Sequence, residues 1–138
     1  MSAAIGKAVL DTNVVISAVL FAGNPRKVLQ AALKGELRLF TSEPLLAELL
    51  AVLTRSKFKF PRVAAVEAVG EYSNLCQVVE PEERLKVIKA DPADNRVLEC
   101  AVSAGAELII SGDSHLLNLE KFRSISIISP TQFLESNC

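Results

Sequence analysis

The clearest chemical signal in this sequence comes from four acidic residues that lie far apart along the chain, namely Asp11, Glu48, Asp94 and Asp113. Asp11 and Asp113 each follow a short apolar run that is typical of a β-strand, Lys7–Leu10 and Glu107–Ser111. If both runs are parallel strands, the two carboxylates lie at the sheet edge where open α/β folds bind ligands. Carboxylates gathered there repel one another unless a divalent cation lies between them. The pattern therefore predicts a metal site.

Asp11 and Asp113 also have a simpler interpretation as turn residues. Asp11 opens the sequence Asp-Thr-Asn and Asp113 follows Ser-Gly, and such residues hydrogen-bond to their own backbone in turns. Their position directly after predicted strands favours the metal site for Asp11. His115 is the only histidine of the chain and a possible general base. Because a lone histidine beside Leu116 and Leu117 is more typical of packing or of a loop, we assign it no role.

Glu48 and Asp94 lie on predicted helices. No basic residue stands three or four positions from Glu48, so it lacks the ion pair that a surface glutamate often makes, and it lies at the margin of a leucine stripe. We expect it to point into a cleft, although a solvated glutamate is the alternative. Asp94 is expected as the third residue of a helix capped by Asp91, where it would stabilise the helix dipole without any catalytic role. Asp91 has the same ambiguity and is interpreted as structural.

Hard oxygen ligands of this kind suit Mg²⁺ or Mn²⁺, whereas the lack of clustered His and Cys residues argues against zinc. Such a cation can lower the pKa of a bound water and stabilise charge on a phosphate during in-line displacement. The sequence has no P-loop, no G-x-G-x-x-G motif and no Ser-His or Cys-His nucleophile arrangement. Metal-assisted phosphate chemistry is therefore the function class that the residues favour.

Strand-like and helix-like segments alternate along the chain, which predicts a mostly parallel sheet with helices on both faces. The predicted strands are Lys7–Leu10, Leu37–Thr41, Gln77–Val79, Leu108–Ser111 and Ile125–Ile128. Five helices are predicted. The first is capped by Asn24 and ended by Gly35, the second is capped by Ser42 and runs from Pro44 to Arg55, and the third runs from Val63 to Cys76. The fourth is opened by Asp91 and closed by Gly105, and a short fifth helix starts at Pro130.

Length and composition indicate one domain that spans residues 1–138, and the cysteines indicate a reducing compartment. Half of the 138 residues are hydrophobic, 22 % are charged, and the net charge is −1, so nucleic-acid binding would need a local patch and a metal. The longest apolar stretch, Val14–Ala22, is too short to span a membrane. Three cysteines without a close pair are typical of free thiols, and we expect a cytoplasmic protein with no membrane association.

The acidic segments, taken in this order, resemble the PIN-domain nucleases. The likeness covers nearly the whole chain and is carried by Val9–Ser17, by Glu48 within Leu45–Leu49, by Asp91–Ala101 and by Ile110–Asp113. The chain is similar in particular to the prokaryotic members that act as toxins of type II toxin–antitoxin pairs (VapC-like). The resemblance implies a three-layer α/β/α fold with a five-stranded sheet in the order 3-2-1-4-5, which places the first and fourth strands side by side.

By the same resemblance, the acidic quartet Asp11, Glu48, Asp94 and Asp113 binds Mg²⁺ or Mn²⁺ and cleaves RNA, and Asn13 and Ser111 support the metal or its waters. Many family members carry a further acid shortly after the last aspartate, where this chain has Ser114-His115. That difference leaves open whether one metal or two are bound. The basic segment Arg55–Arg62, with Arg55, Lys57 and Lys59, could contact RNA phosphates, or it could be a solvated connector or a dimer contact.

The resemblance implies an endoribonuclease toxin with a cognate antitoxin, and a homodimer. A housekeeping RNA-processing nuclease without an antitoxin is the main alternative. A phosphotransfer module is less favoured, because a haloacid-dehalogenase-like phosphatase needs an aspartate where Asn13 stands and a receiver domain needs a lysine where Ser129-Pro130 stands. A binding module without activity is disfavoured because all four acids are present.

Overall fold

The computed structural model of the protein describes residues 6–55 and 59–136. Its strands are β1 (Gly6–Leu10), β2 (Leu37–Thr41), β3 (Gln77–Val78), β4 (Leu108–Ile110), β5 (Lys121–Phe122) and β6 (Ile125–Ile128). Its helices are α1 (Thr12–Leu20), α2 (Asn24–Leu33), α3 (Glu43–Leu53), α4 (Arg62–Leu75), α5 (Asp94–Ala104), α6 (Ser114–Leu117) and α7 (Pro130–Ser136). None of the helices in these two ranges is long and apolar enough to cross a membrane.

The strands form one sheet in the order β3-β2-β1-β4-β6-β5, in which every pair is parallel except β5 with β6. Successive strand residues point to opposite faces and enter two separate cores. Ala8 and Leu10 pack in the core beneath α1, α2, α3, α4 and α7, whereas Val9 packs in the core beneath α5 and α6. The result is the three-layer α/β/α class expected from the sequence.

The expected fold class and the strand order 3-2-1-4-5 are confirmed, with one addition. The sheet has six strands rather than five, because β5 pairs antiparallel with the edge of β6. The turn between them is formed by Arg123 and Ser124, and Arg123 has φ 56. A two-residue hairpin turn is normally recognised in a sequence by Gly or Asn at a position of positive φ, and this turn has neither. The sequence therefore contains no sign of β5.

Two helix starts differ from the prediction. Gly23, with φ 144, occupies the N-cap position of α2, and the side chain of Asn24 donates a hydrogen bond to Thr131 of α7 instead of capping. The N-cap residue of α5 is Ala93, and Asp91 accepts a hydrogen bond from the Ala93 amide within the preceding turn. Asp94 is therefore the first helical residue and not the third, so the prediction that Asp91 caps this helix is wrong.

Residues 79–93 connect β3 to α5 without regular secondary structure and lie against α5. Asn95 supplies three hydrogen bonds to this segment: it accepts from the amides of Val87 and Ile88, at 3.0 and 2.8 Å, and donates to the Ile88 carbonyl at 2.9 Å. Glu99 accepts from the Leu85 amide at 2.7 Å. Side chains of α5 thus satisfy backbone groups that no strand or helix satisfies.

We predict that Asn95→Ala lowers the free energy of unfolding by about 2–4 kcal/mol, because it leaves two amides and one carbonyl without partners. Chemical denaturation monitored by circular dichroism measures this loss. Ser103→Ala is the control, since the Ser103 hydroxyl accepts a hydrogen bond from the exposed Glu82 amide, and the substitution should cost less than about 1 kcal/mol. Equal stability of Asn95→Ala and the wild type would contradict this account of the segment.

Candidate metal centre

Asp11 leaves the sheet directly after β1 and is held there by its backbone. Its amide donates to the Ile110 carbonyl at 3.0 Å, which extends the pairing of β1 with β4 by one residue. The residue is only 4 % exposed, and its Oδ2 accepts a hydrogen bond from the Ser111 hydroxyl at 2.7 Å. Burial and the charges of Asp113 and Glu48, opposed by the Ser111 hydrogen bond, together raise the pKa of Asp11 to about 6.

Ser111 connects the two aspartates that follow the central strands. It is fully buried, and its amide donates to the Ile128 carbonyl at 2.9 Å, which fixes it at the end of β4. Its hydroxyl donates to Asp11 and accepts from the Asp113 amide at 2.9 Å. Asp113 is the N-cap residue of α6, where its Oδ1 accepts from the His115 amide at 2.7 Å. Asp113 is therefore both a turn residue, as the simpler interpretation held, and a member of the acidic group.

Glu48 reaches the same place from α3. It is half-buried, and its Oε1 accepts a hydrogen bond from the Thr12 hydroxyl at 2.9 Å. Thr12 is the first residue of α1 and adjoins Asp11, so this bond brings the glutamate to the end of β1. The glutamate is therefore directed into the acidic group, as the lack of basic helix neighbours suggested, and it is not simply solvated.

Asp94 is, with Asp11, one of the two buried acids of the group. The residue is 5 % exposed, and its Oδ2 is buried without a hydrogen-bond partner among the described residues. Burial, together with the charges of Asp113, Asp11 and Asp91, raises the pKa of Asp94 to about 7. A first-turn carboxylate that only stabilised the helix dipole would be hydrated or would accept backbone amides. Position in the helix therefore does not account for Asp94.

His115 lies at the mouth of the acidic group, although the sequence interpretation gave it no role. Its Nδ1 is 3.4 Å from Asp113 Oδ1 and 3.8 Å from Asp94 Oδ2, and the ring is partly exposed. Ligand atoms of these three residues all lie within 4.8 Å of one another. The signal in the sequence was the two-residue spacing between Asp113 and His115. This spacing indicates a contact only if a helix begins at Ser114 and directs the imidazole towards Asp113, as α6 does.

The remaining sequence-predicted residues lie outside this group. The Asn13 side chain is exposed and lines an open cleft of about 540 Å³ that also borders Asp113, while its backbone amide helps to lower the pKa of Asp11. The side chains of Arg55 and Lys59 are exposed and make no ion pair within the described part of the chain. Lys57 lies outside the described residues. Arg55 follows α3 on the order of 10 Å along the helix axis from Glu48.

These residues fit a divalent cation. Acids from four separate segments gather at one edge of the sheet, and burial together with the neighbouring acidic charges raises the pKa of Asp11 and Asp94. In residues 6–55 and 59–136 no lysine or arginine pairs with these acids, and the imidazole of His115 lies 3.8 Å from Asp94 and 3.4 Å from Asp113. The buried Oδ2 of Asp94 accepts no hydrogen bond from the described residues and is therefore available as a ligand. Carboxylate oxygens are the ligands of Mg²⁺ and Mn²⁺, so the donor set and the unpartnered oxygen agree.

The family model described as "PIN domain" matches residues 7–115, which contain all four acids. The chain belongs to the PIN domain family. The resemblance inferred from the sequence is thereby confirmed. No curated protein matches the chain significantly.

The solved structures that share this fold include two VapBC assemblies. VapBC2 from Rickettsia felis, bound to a DNA fragment from its promoter, has a TM-score of 0.64 and 13 % identity, over 89 % of this chain and 98 % of that one. DNA-bound VapBC from Salmonella typhimurium has a TM-score of 0.62 and 16 % identity, over 91 % of this chain and 99 % of that one. At such identities the likeness is one of fold.

We predict that Asp94→Asn stabilises the protein at pH 8 in the presence of a chelator. A raised carboxyl pKa in the folded state means that stability falls as pH rises from about 4 to about 7, and the substitution removes that loss. At about 1.4 kcal/mol per pKa unit, the gain should be roughly 2–4 kcal/mol, and it should vanish near pH 4.

Saturating Mg²⁺ should raise the melting temperature of the wild type, and Asp94→Asn should reduce that rise because a ligand is lost. Thermal unfolding at pH 4–8, with chelator and with Mg²⁺, measures both effects. Glu67→Gln, on the exposed face of α4, is the control and should behave as the wild type. A less stable Asp94→Asn at pH 8 with an undiminished rise would return Asp94 to a purely structural role.

Proposed function

We propose that this protein is a metal-dependent endoribonuclease that hydrolyses RNA phosphodiester bonds. The observation that carries the proposal is the buried Asp94 Oδ2, which has no hydrogen-bond partner among the residues that the structure describes and lies beside Asp113 and Asp11, at the sheet edge where this fold class binds ligands. In this proposal Asp11, Asp94 and Asp113 hold Mg²⁺ or Mn²⁺, and Glu48 completes the ligand set or orients the attacking water. The four acids are thus both the metal ligands and the catalytic residues.

When bound, the divalent cation supplies a water of lowered pKa and neutralises charge on the phosphate. The protein supplies position. The Ser111 hydroxyl holds the Asp11 carboxylate, and the Thr12 hydroxyl holds Glu48, so each acid is oriented by a neighbour on a rigid element. Because Glu48 is only half-buried, its second oxygen can accept a proton from a water while the first stays bonded to Thr12. Asn13 borders the open cleft through which RNA would approach.

Water as the nucleophile determines the products. Attack by water leaves a 5′-phosphate and a 3′-hydroxyl, whereas attack by the ribose 2′-hydroxyl leaves a 2′,3′-cyclic phosphate. Since the net charge of the chain is −1 and the site is acidic, RNA binding requires the cation together with basic side chains. We propose that Arg55, Lys57 and Lys59 contact the RNA phosphates, and this contact stays a prediction.

We also propose that the nuclease is the toxin of a toxin–antitoxin pair, acting in the cytoplasm. Both structural neighbours are VapBC assemblies, which supports a partner protein for this chain. An apolar groove of about 260 Å³ between α1, α2 and α4 is a second argument, because exposed apolar surface of this kind marks interaction sites. Leu33 at its edge is 68 % exposed. A homodimer is expected as well, from the resemblance alone.

Asp11→Asn tests the nuclease. The amide keeps the shape of the side chain but removes a charged ligand, so cleavage should fall on the order of 100-fold or more. The assay uses single-stranded and structured RNA with Mg²⁺, with Mn²⁺ and with chelator, and the product ends are identified by mass spectrometry. Glu67→Gln should cleave as the wild type does. Activity that survives the chelator, or cyclic phosphate ends, would exclude the proposed chemistry.

Leu33→Asp tests whether an antitoxin binds this groove. If a small protein encoded beside this gene binds the groove, co-expression should recover a complex with the wild type and not with Leu33→Asp, because a charge in the groove opposes apolar burial. Phe21→Asp is the matched control, since Phe21 is exposed and apolar but does not line the groove. Recovery of nuclease activity with no bound partner in any such experiment would favour the housekeeping role.

A further inference from the structure

The position of His115 suggests more than packing. Its Nδ1 faces Asp113 Oδ1 at 3.4 Å and Asp94 Oδ2 at 3.8 Å. Ligands of one ion with bonds of about 2.1 Å lie roughly 3 Å apart at adjacent positions and roughly 4.2 Å apart at opposite positions. The two imidazole distances lie between these values, and the three ligand atoms all lie within 4.8 Å of one another, so that small side-chain movements would bring them to one ion.

A separate observation indicates that something binds at this point. Asp94 is 5 % exposed, and its Oδ2 has no hydrogen-bond donor in the described part of the protein, yet it faces the imidazole. Burying a carboxylate oxygen without a donor is costly, so a cation at this point would remove the cost. The 3.8 Å from the imidazole nitrogen is too long for a hydrogen bond.

The backbone around His115 is already fixed, so its side chain can bind an ion without refolding. The His115 amide is bonded to Asp113, and Asp113 is bonded through its own amide to Ser111. The side chain is 46 % exposed and has no polar contact with described residues beyond the two carboxylates. Its replacement therefore leaves the α6 cap in place.

We propose that His115, through Nδ1, is a nitrogen ligand of the metal centre beside Asp94 and Asp113, and that it shifts the preference of the centre from Mg²⁺ towards Mn²⁺. The inference rests on the proposed metal centre but not on RNA cleavage. Mg²⁺ takes oxygen ligands and keeps its waters, whereas imidazole is a ligand of first-row transition ions. Replacing an oxygen ligand by this nitrogen therefore favours Mn²⁺ relative to Mg²⁺.

The chain has a single histidine, which makes the spectroscopic test unambiguous. Mn²⁺ is added to the untagged protein, and pulsed electron paramagnetic resonance records the nuclei coupled to it. We expect a ¹⁴N coupling in the wild type that changes to ¹⁵N when only histidine is labelled, and that is absent in His115→Gln. Ser114→Ala, an exposed neighbour, should keep the coupling. Bound Mn²⁺ without any histidine nitrogen coupling would overturn the proposal, and it would mean that the imidazole only pairs with the two carboxylates.

Metal affinities give a second readout that needs no activity. Mn²⁺ titration, alone and in competition with Mg²⁺, should show that His115→Gln weakens Mn²⁺ binding about 10-fold or more and Mg²⁺ binding less. An unchanged ratio of the two affinities would contradict a nitrogen ligand. A histidine-coupled Mn²⁺ centre in a protein that cuts no RNA would leave this inference standing and overturn the nuclease. Metal-dependent RNA cleavage without a histidine nitrogen coupling would support the nuclease and overturn the assignment of His115 as a ligand.

Discussion

Repulsion among carboxylates is the constraint on which this structure depends. Parallel pairing of β1 with β4 brings Asp11 and Asp113 to one edge, and α3 and α5 add Glu48 and Asp94 to the same place. Burial and the neighbouring charges hold the pKa of Asp94 near 7 and that of Asp11 near 6. Folding the ion-free chain at neutral pH therefore works against electrostatics, and the helices and strands must supply the free energy that holds the acids together.

The fold meets this constraint with neutral donors on rigid elements. Ser111 and Thr12, both buried, fix the carboxylates of Asp11 and Glu48 without adding a positive charge that would compete with an ion. The connecting segment 79–93 is bonded to the side chains of Asn95 and Glu99, so the start of α5 is held although no strand precedes it. Acids held in this way by rigid elements meet the condition for a preorganised site.

Much of this arrangement could be predicted from the sequence, and the exceptions have physical causes. β2 and β6 begin and end where their apolar runs do, and Asp11 and Asp113 follow strands as expected. α1 was not predicted, because Val14, Val15, Ile16 and Ala18 are all buried and a helix surrounded by core shows no helical period. The start of α5 was misplaced because Asp91 bonds within a turn, a choice between two local hydrogen bonds that sequence does not determine.

The two buried acids of α5 show why burial alone does not identify a functional residue. Glu99 is 4 % exposed, as buried as Asp94, but its Oε2 accepts from the Leu85 amide and from Arg96 Nη2, each at 2.7 Å. Its Oε2 is therefore satisfied by donors that belong to the fold. The Oδ2 of Asp94, five residues earlier, has no such donor in the described ranges 6–55 and 59–136, and three acids lie near it. A buried carboxylate marks a site when its partners are missing from the protein, because the missing partner is then the ligand.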